Sequence, residues 1–185
     1  MARNLLAVAG FNRDFVSQGD LTNFMKTLRE DAVDATYEVK QVNGGWYDQS
    51  NPGTDSTVNM QYAQAIAYPT PHVFYSTGSM GLIQHNNEPA VNDMFLAWLN
   101  YMINVETKLP QTVTIPYGAP EKDVPREYTK TLCDLFAKLG ARGVSVIFGS
   151  GNNGVGEGNC KEKDGSVQFI PEFPASCRCS VLVLF

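Results

Sequence analysis

Two features are missing from this sequence: a cluster of basic residues and a long apolar run. Its 185 residues carry 14 Lys and Arg against 19 Asp and Glu, which gives a formal net charge of −5 at pH 7. A nucleic-acid surface needs clustered Lys and Arg to neutralise phosphates, so this balance argues against a nucleic-acid partner. No stretch approaches the roughly 20 apolar residues of a membrane-spanning helix, and residues 1–15 lack the apolar core of a secretory signal. We therefore expect a protein or a small molecule as partner, and no membrane.

Cysteine is also scarce, with four in the chain: Cys133, Cys160, Cys177 and Cys179. Four cysteines this late in the chain are too few for a disulfide framework. No histidine follows the Cys177–Cys179 pair, which argues against a zinc site, and we expect no metal. Cys133 lies in an apolar helical stretch and is interpreted as a buried thiol. In an oxidising compartment, we expect one disulfide between Cys160 and Cys177 across the intervening loop.

Apolar runs typical of buried strands alternate with stretches that repeat apolar residues at helical spacing. Asp20 is the expected N-cap of the first helix, and Gly140 the expected end of the last. Strands are predicted at residues 4–11, 35–45, 72–76, 111–118, 144–150 and 179–185. Helices are predicted at residues 20–30, 57–68, 89–104 and 125–143. This order predicts a single α/β domain, residues 1–185, with three layers in which helices cover both faces of a mostly parallel sheet.

Several stretches of the chain are distinctive in order and spacing. They are "DQSNPGTDSTVNMQYAQAIAYPTPHVFYSTG", "LPQTVTIPYG", "VPREYTKTLCDLFAKLGARGVSVIFGSG", "GVGEGNC" and "FPASC". Together they resemble the sedolisin family of serine-carboxyl peptidases, in particular its fungal tripeptidyl-peptidase branch. The likeness extends from about Leu5 to Cys177. It implies a subtilisin-like, Rossmann-like fold that is truncated at its C-terminus relative to the family.

The resemblance implies an acid pair on one helix, with a Glu as general base to a serine and an Asp four residues later that orients it. Positions i and i+4 stack on one helical face, which this chemistry requires. Asp55 stands at the position of the Glu, and Asn59 at that of the Asp. Asp55 is one methylene shorter than Glu, and Asn59 cannot share a proton, so the coupled acid pair is absent. An ordinary helix start, with an acid that favours the helix dipole, is the simpler interpretation of Asp55.

A third acid of the family follows a strand in an S-G-D-x-G-like loop and donates a hydrogen bond to the oxyanion. Asn152 occupies this position in "GSGNNGVGEG". An amide donates at any pH, so Asn152 alone would relax the pH dependence without abolishing catalysis. The alternative interpretation is a tight turn, where Asn and Gly accept left-handed backbone angles.

The family's serine motif and its calcium site would follow "FPASC", whereas this sequence continues as "RCSVLVLF". We therefore expect a catalytically inactive or severely impaired homologue that acts as a binding protein, with neither a cofactor nor the family's calcium. The alternative is a hydrolase that uses Asp55 and the Asn152 loop. We also expect a homodimer through the truncated sheet edge and the C-terminal tail. The ligand, a peptide or another small molecule, does not follow from the sequence.

Overall fold

The computed structural model describes residues 4–78, 94–152, 154, 160, 161, 164–178 and 181–183. Eight strands occur among them. They are β1 (Leu6–Gly10), β2 (Tyr37–Val42), β3 (His72–Thr77), β4 (Thr112–Ile115), β5 (Ala119–Pro120), β6 (Ser145–Gly149), β7 (Glu172–Phe173) and β8 (Val181–Val183). The helices are α1 (Gln18–Leu28), α2 (Thr54–Ala67), α3 (Met94–Asn104) and α4 (Arg126–Ala141), with two 3₁₀ turns at Glu30–Ala32 and Glu121–Asp123.

Six of the strands form one sheet in the order β2-β3-β1-β4-β6-β8. Every pairing in this sheet is parallel. β5 and β7 form a separate antiparallel ladder of two residues each. The predicted α/β order and parallel sheet are therefore confirmed.

The helices lie on both faces of the sheet, as predicted. β1 shows how the two faces are divided, because successive strand residues point to opposite sides. Val8 packs in one core with side chains of α1 and α2, such as Met25 and Met60. Ala7 and Ala9 face the other core, which α3 and α4 cover. No helix in the described part of the chain is long and apolar enough to cross a membrane.

Several helix boundaries differ from the sequence prediction, and α2 begins at Thr54 and not at residue 57. α1 begins earlier, because Ser17 and not Asp20 is its N-cap. The Ser17 hydroxyl accepts a hydrogen bond from the Asp20 amide at 3.0 Å, so Asp20 lies inside the first turn. Gly140 also lies inside its helix, α4, and the left-handed residue that leads into β6 is Gly143, with φ of 87°.

The predicted disulfide between Cys160 and Cys177 is wrong. Cys177 is bonded to Cys133 of α4, with their Cα atoms 5.3 Å apart. Phe173 explains this pairing, because its buried ring lies beside Tyr128 of α4 with 6.3 Å between ring centroids. The turn after β7 is thereby held against α4. The spacing of the cysteines in the sequence does not reveal this contact. Cys133 is consequently not the thiol that the sequence suggested.

Candidate functional site at the carboxyl edge of the sheet

The carboxyl ends of all six parallel strands lie along one edge of the sheet. From β1 the chain runs to α1 on one face, whereas from β4 it runs to α4 on the opposite face. β1 and β4 are neighbours in the sheet, so the connections that leave them lead to opposite faces at this point. Such a switch point is where open α/β sheets bind their ligands.

Asp14 lies at this switch point and joins three elements. Its carboxylate Oδ2 accepts a hydrogen bond from the amide of Ser56, in the first turn of α2, at 2.6 Å. The same oxygen accepts one from the hydroxyl of Tyr117, just after β4, at 3.0 Å. The Ser56 hydroxyl, on a residue that is only 1% exposed, donates to the Asp14 carbonyl at 2.9 Å. Asp14 therefore positions the N-terminus of α2 relative to β1 and β4.

Gly53, the residue before α2, allows the Asp14 side chain to lie against the chain at the start of the helix. A Cβ at Gly53 would lie 1.2 Å from Oδ1 of Asp14, so a larger residue cannot occupy this position without displacing the carboxylate. The Gly53 amide donates to the Phe15 carbonyl at 2.8 Å. The start of α2 is thus fixed by backbone and carboxylate contacts together.

The hydroxyl of Tyr117 is the hydrogen-bond donor to Asp14. Burial raises the pKa of its hydroxyl, and the negative charge of Asp14 raises it further. Its ring also packs edge-on against Phe11 at a centroid distance of 5.2 Å. Tyr117 therefore stays protonated at neutral and acid pH, and its bond to Asp14 is retained.

The turn between β1 and Asp14 has an unusual backbone. Asn12 and Arg13 both have left-handed angles, with φ of 56° and 59°. Consecutive non-glycine residues in this region are costly and often occur at functional sites. The Arg13 guanidinium lies 5.9 Å from the ring centroid of Trp46, which is 54% exposed. An accessible cation and an accessible aromatic ring therefore lie beside the turn that follows β1.

The predicted pair, Asp55 and Asn59, lies one turn apart at the start of α2. Asp55 is exposed, and Asn59 is half-buried. Among the residues that the structure describes, no hydrogen bond joins their side chains. Their helical placement is as predicted, but the chemical role of either residue stays a prediction.

Asn152 is exposed and follows β6 at the same edge of the sheet. Its neighbour Asn153 lies outside the described residues. The start of α2 lies over β1, and β4 separates β1 from β6. Asn152 and the start of α2 are therefore about two strand spacings, roughly 10 Å, apart along the edge. Within the described ranges no hydrogen bond connects Asn152 to Asp55. No group of three or more His, Cys, Asp or Glu residues in those ranges could hold a metal ion.

Sequence reasoning missed Asp14, Ser56 and Tyr117. A signal was present, since Asp14 follows the buried strand β1 by four residues, where loops of parallel sheets carry functional groups. Its partners lie 42 and 103 residues further along the chain. No local pattern could have paired them.

No protein-family model matches the sequence. Among curated proteins, the chain is 35% identical over 184 residues to probable tripeptidyl-peptidase SED2 of Arthroderma benhamiae. It is 32% identical over 184 residues to tripeptidyl-peptidase SED4 of Arthroderma otae. These alignments include 94% and 95% of this chain. This chain is a homologue of the sedolisin-family tripeptidyl-peptidases.

Solved structures agree with this relationship at the level of fold. Pseudomonas sedolisin, a serine-carboxyl proteinase, superposes with a TM-score of 0.66 at 13% identity, covering 97% of this chain and 47% of that one. The S393A mutant of the epidermin leader peptide processing serine protease of Staphylococcus aureus gives a TM-score of 0.52, with 98% and 46% covered. This sedolisin homologue spans about 31% of the length of the curated relatives.

Proposed function

We propose that this sedolisin homologue binds peptides at the carboxyl edge of its sheet and has little or no peptidase activity. The observation that carries the proposal is the state of the acid pair on α2. Asp55 is exposed, and the residue one turn later is Asn59, whose amide cannot share a proton. A carboxylate without a coupled acid is a poor general base for a serine hydroxyl.

A binding role is supported by the hydrogen bonds that fix the start of α2, where Asp55 and Asn59 lie. Asp14, Ser56 and Tyr117 hold the start of α2 in place. The exposed Asp55 carboxylate adds to an edge that already carries Arg13 and Trp46. A peptide with a free amino terminus suits this edge, because its ammonium group would pair with Asp55 while an apolar side chain packs on Trp46.

The test compares catalysis and binding on the same purified protein. Tripeptide-bearing substrates are incubated between pH 3 and pH 7, and peptide affinity is measured by calorimetry. We expect binding without turnover, and about a two- to fivefold loss of affinity in Asp55→Asn, since an exposed ion pair contributes up to about 1 kcal/mol.

Two controls make the outcome specific. Asp34→Asn removes another exposed carboxylate, which precedes β2 at the amino edge of the sheet, opposite the start of α2, and should leave affinity unchanged. A peptide with an acetylated amino terminus should bind the parent protein and Asp55→Asn equally. Turnover by the unaltered protein, or labelling of a single serine by a covalent probe, would contradict the loss of activity. Turnover that Asp55→Asn abolishes would favour a hydrolase that uses Asp55 and Asn152.

A homodimer through the sheet edge is a separate proposal. β8 is one of the two edge strands of the described sheet, with β2 at the other edge, and it pairs with β6 over three residues. An edge strand offers unpaired backbone groups to a second copy. Light scattering at increasing protein concentration should show a dimer, and a strictly monomeric protein at high concentration would contradict this.

A further inference from the structure

A cavity of about 590 Å³ opens beside α4, and its lining includes none of the carboxyl-edge residues Asp14, Ser56 and Tyr117. The disulfide between Cys133 and Cys177 forms part of its lining. Cys133 is half-buried, whereas Cys177 is 5% exposed, so Cys133 is the more accessible residue of the pair. Small thiols in solution can therefore reach this disulfide through the cavity.

Charged side chains of both signs surround the disulfide. Lys130 and Arg178 are the cations of the lining, and Glu121 and Asp134 are its acids. All four residues are exposed. Lys130 also contacts Glu127 at 2.8 Å, but both partners of this ion pair are solvent-exposed, so Lys130 can turn to a ligand at little cost. Nearby cations stabilise a thiolate, both on an attacking thiol and on the cysteine that leaves.

We propose that this cavity is a site of thiol–disulfide exchange with a small thiol that carries both carboxylate and ammonium groups. Lys130 and Arg178 receive the carboxylates, and Glu121 and Asp134 receive the ammonium group. A thiol of this kind matches the mixed charges better than a neutral thiol does.

The chemical step balances without an oxidant. The thiolate of the ligand attacks Sγ of Cys133 and forms a new sulfur–sulfur bond. The bond between Cys133 and Cys177 breaks, and Cys177 leaves as a thiolate that takes a proton from water. One disulfide is consumed and one is formed, as in all exchange of this type.

The exchange has a structural consequence at the end of the described chain. Phe173 is buried against rings of α3 and α4, and we expect these contacts to persist when the disulfide is broken. Beyond it, Cys177 is the covalent attachment that precedes β8, and β8 is held by only three residue pairs. Breaking the bond should therefore loosen residues 177–183 while the rest of the fold persists.

The experiment uses the oxidised protein in a Cys179→Ser background, so that the adjacent cysteine cannot take over the exchange. Reduced glutathione is the zwitterionic probe, and 2-mercaptoethanol is the neutral one, with rates corrected for thiolate concentration. Intact mass and peptide mapping should show a glutathione adduct on Cys133. At low ionic strength, glutathione should react about tenfold faster than the neutral thiol, and 1 M salt should remove most of this advantage.

Variants test whether the cavity itself recognises the thiol. Lys130→Met combined with Arg178→Met should lower the glutathione rate about tenfold and the 2-mercaptoethanol rate by much less, because 2-mercaptoethanol has no carboxylates and loses only the stabilisation of the thiolates. Lys138→Met, on the same helix but outside the cavity, is the matched control and should have no effect. Equal rates for the two thiols, an adduct on Cys177, or reaction only after denaturation would each overturn the proposal. Hydrogen exchange of residues 177–183 should rise on modification, and unchanged protection would overturn the structural consequence.

Discussion

At the scale of single residues, Asp14 connects three elements at the carboxyl edge. It is a half-buried carboxylate that accepts hydrogen bonds from a backbone amide of α2 and from the Tyr117 hydroxyl. A carboxylate at a helix N-terminus satisfies an otherwise unpaired amide and interacts favourably with the helix dipole. Asp14 therefore acts as a tertiary cap, supplied by a loop 42 residues away.

We predict that Asp14→Ala lowers the free energy of unfolding by about 1–2 kcal/mol, because α2 loses its cap and Tyr117 loses its acceptor. Urea denaturation monitored by circular dichroism measures this change. Asp34→Ala removes an exposed carboxylate and should change stability by less than about 0.5 kcal/mol. Equal stability of the two variants would show that Asp14 does not hold α2.

At the scale of secondary-structure elements, the beginning of α2 depends on how closely the chain before it approaches the β1 loop. Gly53 provides this approach without a left-handed backbone, since its φ is −92°. The requirement is purely steric, because the position of its missing Cβ is taken by the Asp14 side chain. Gly140 is the opposite case, since a Cβ there meets no atom within 4 Å and the residue is inside α4.

Alanine at these two glycines should therefore have opposite effects. Gly53→Ala should destabilise the protein by about 1–3 kcal/mol, because the Asp14 carboxylate or the start of α2 must move. Gly140→Ala should stabilise it by about 0.5–1 kcal/mol, since alanine restricts the unfolded chain and favours the helix. Thermal unfolding of the two variants beside the parent checks both signs. A neutral Gly53→Ala would refute the close packing described at this edge.

At the scale of the whole molecule, two buried titratable groups make stability depend on pH. Burial lowers the pKa of His72 below its usual 6.5, although its Nδ1 donates to the Thr70 carbonyl at 2.7 Å. Burial raises the pKa of Glu106, but hydrogen bonds from Lys40, the Lys108 amide and Tyr75 outweigh it and hold the pKa below 4.5. Both groups bind protons more readily in the unfolded chain than in the folded one.

The sign of the effect follows from linkage. Stability due to His72 is present above pH 6.5 and is lost as the pH falls from 6.5 through the folded pKa. Stability due to Glu106 is present above pH 4.5 and is lost below it. We predict a melting temperature that falls in two steps between pH 7 and pH 3.

Variants can assign each step of this pH profile. His72→Gln should remove the upper step, and Glu106→Gln the lower one. The only other histidine in the sequence is His85, which lies outside the described residues. His85→Gln is the control, and it should retain both steps if His72 is the group that titrates. Melting curves at half-unit pH intervals make the comparison, and a flat profile down to pH 4.5 would contradict the role of His72.

The fold was largely predictable because its signals are local. Apolar runs and helical spacing predicted the parallel sheet and its alternating helices, and the structure confirms them. The cap of α1 was misplaced by three residues, since Ser17 and Asp20 both suit an N-cap and only backbone geometry separates them. Asp55, Asn59 and Asn152 were chosen from the resemblance to sedolisins, and their placement at one sheet edge follows from the parallel strands.

The sequence by itself determined the α/β class and the order of the elements. These depend on side-chain chemistry and on periodicity within single segments. Only the tertiary structure decided that Cys177 bonds Cys133, and that Asp14 joins Ser56 and Tyr117. Such contacts join residues 42 to 103 positions apart, and they form because packing around buried rings such as Phe173 brings distant segments together.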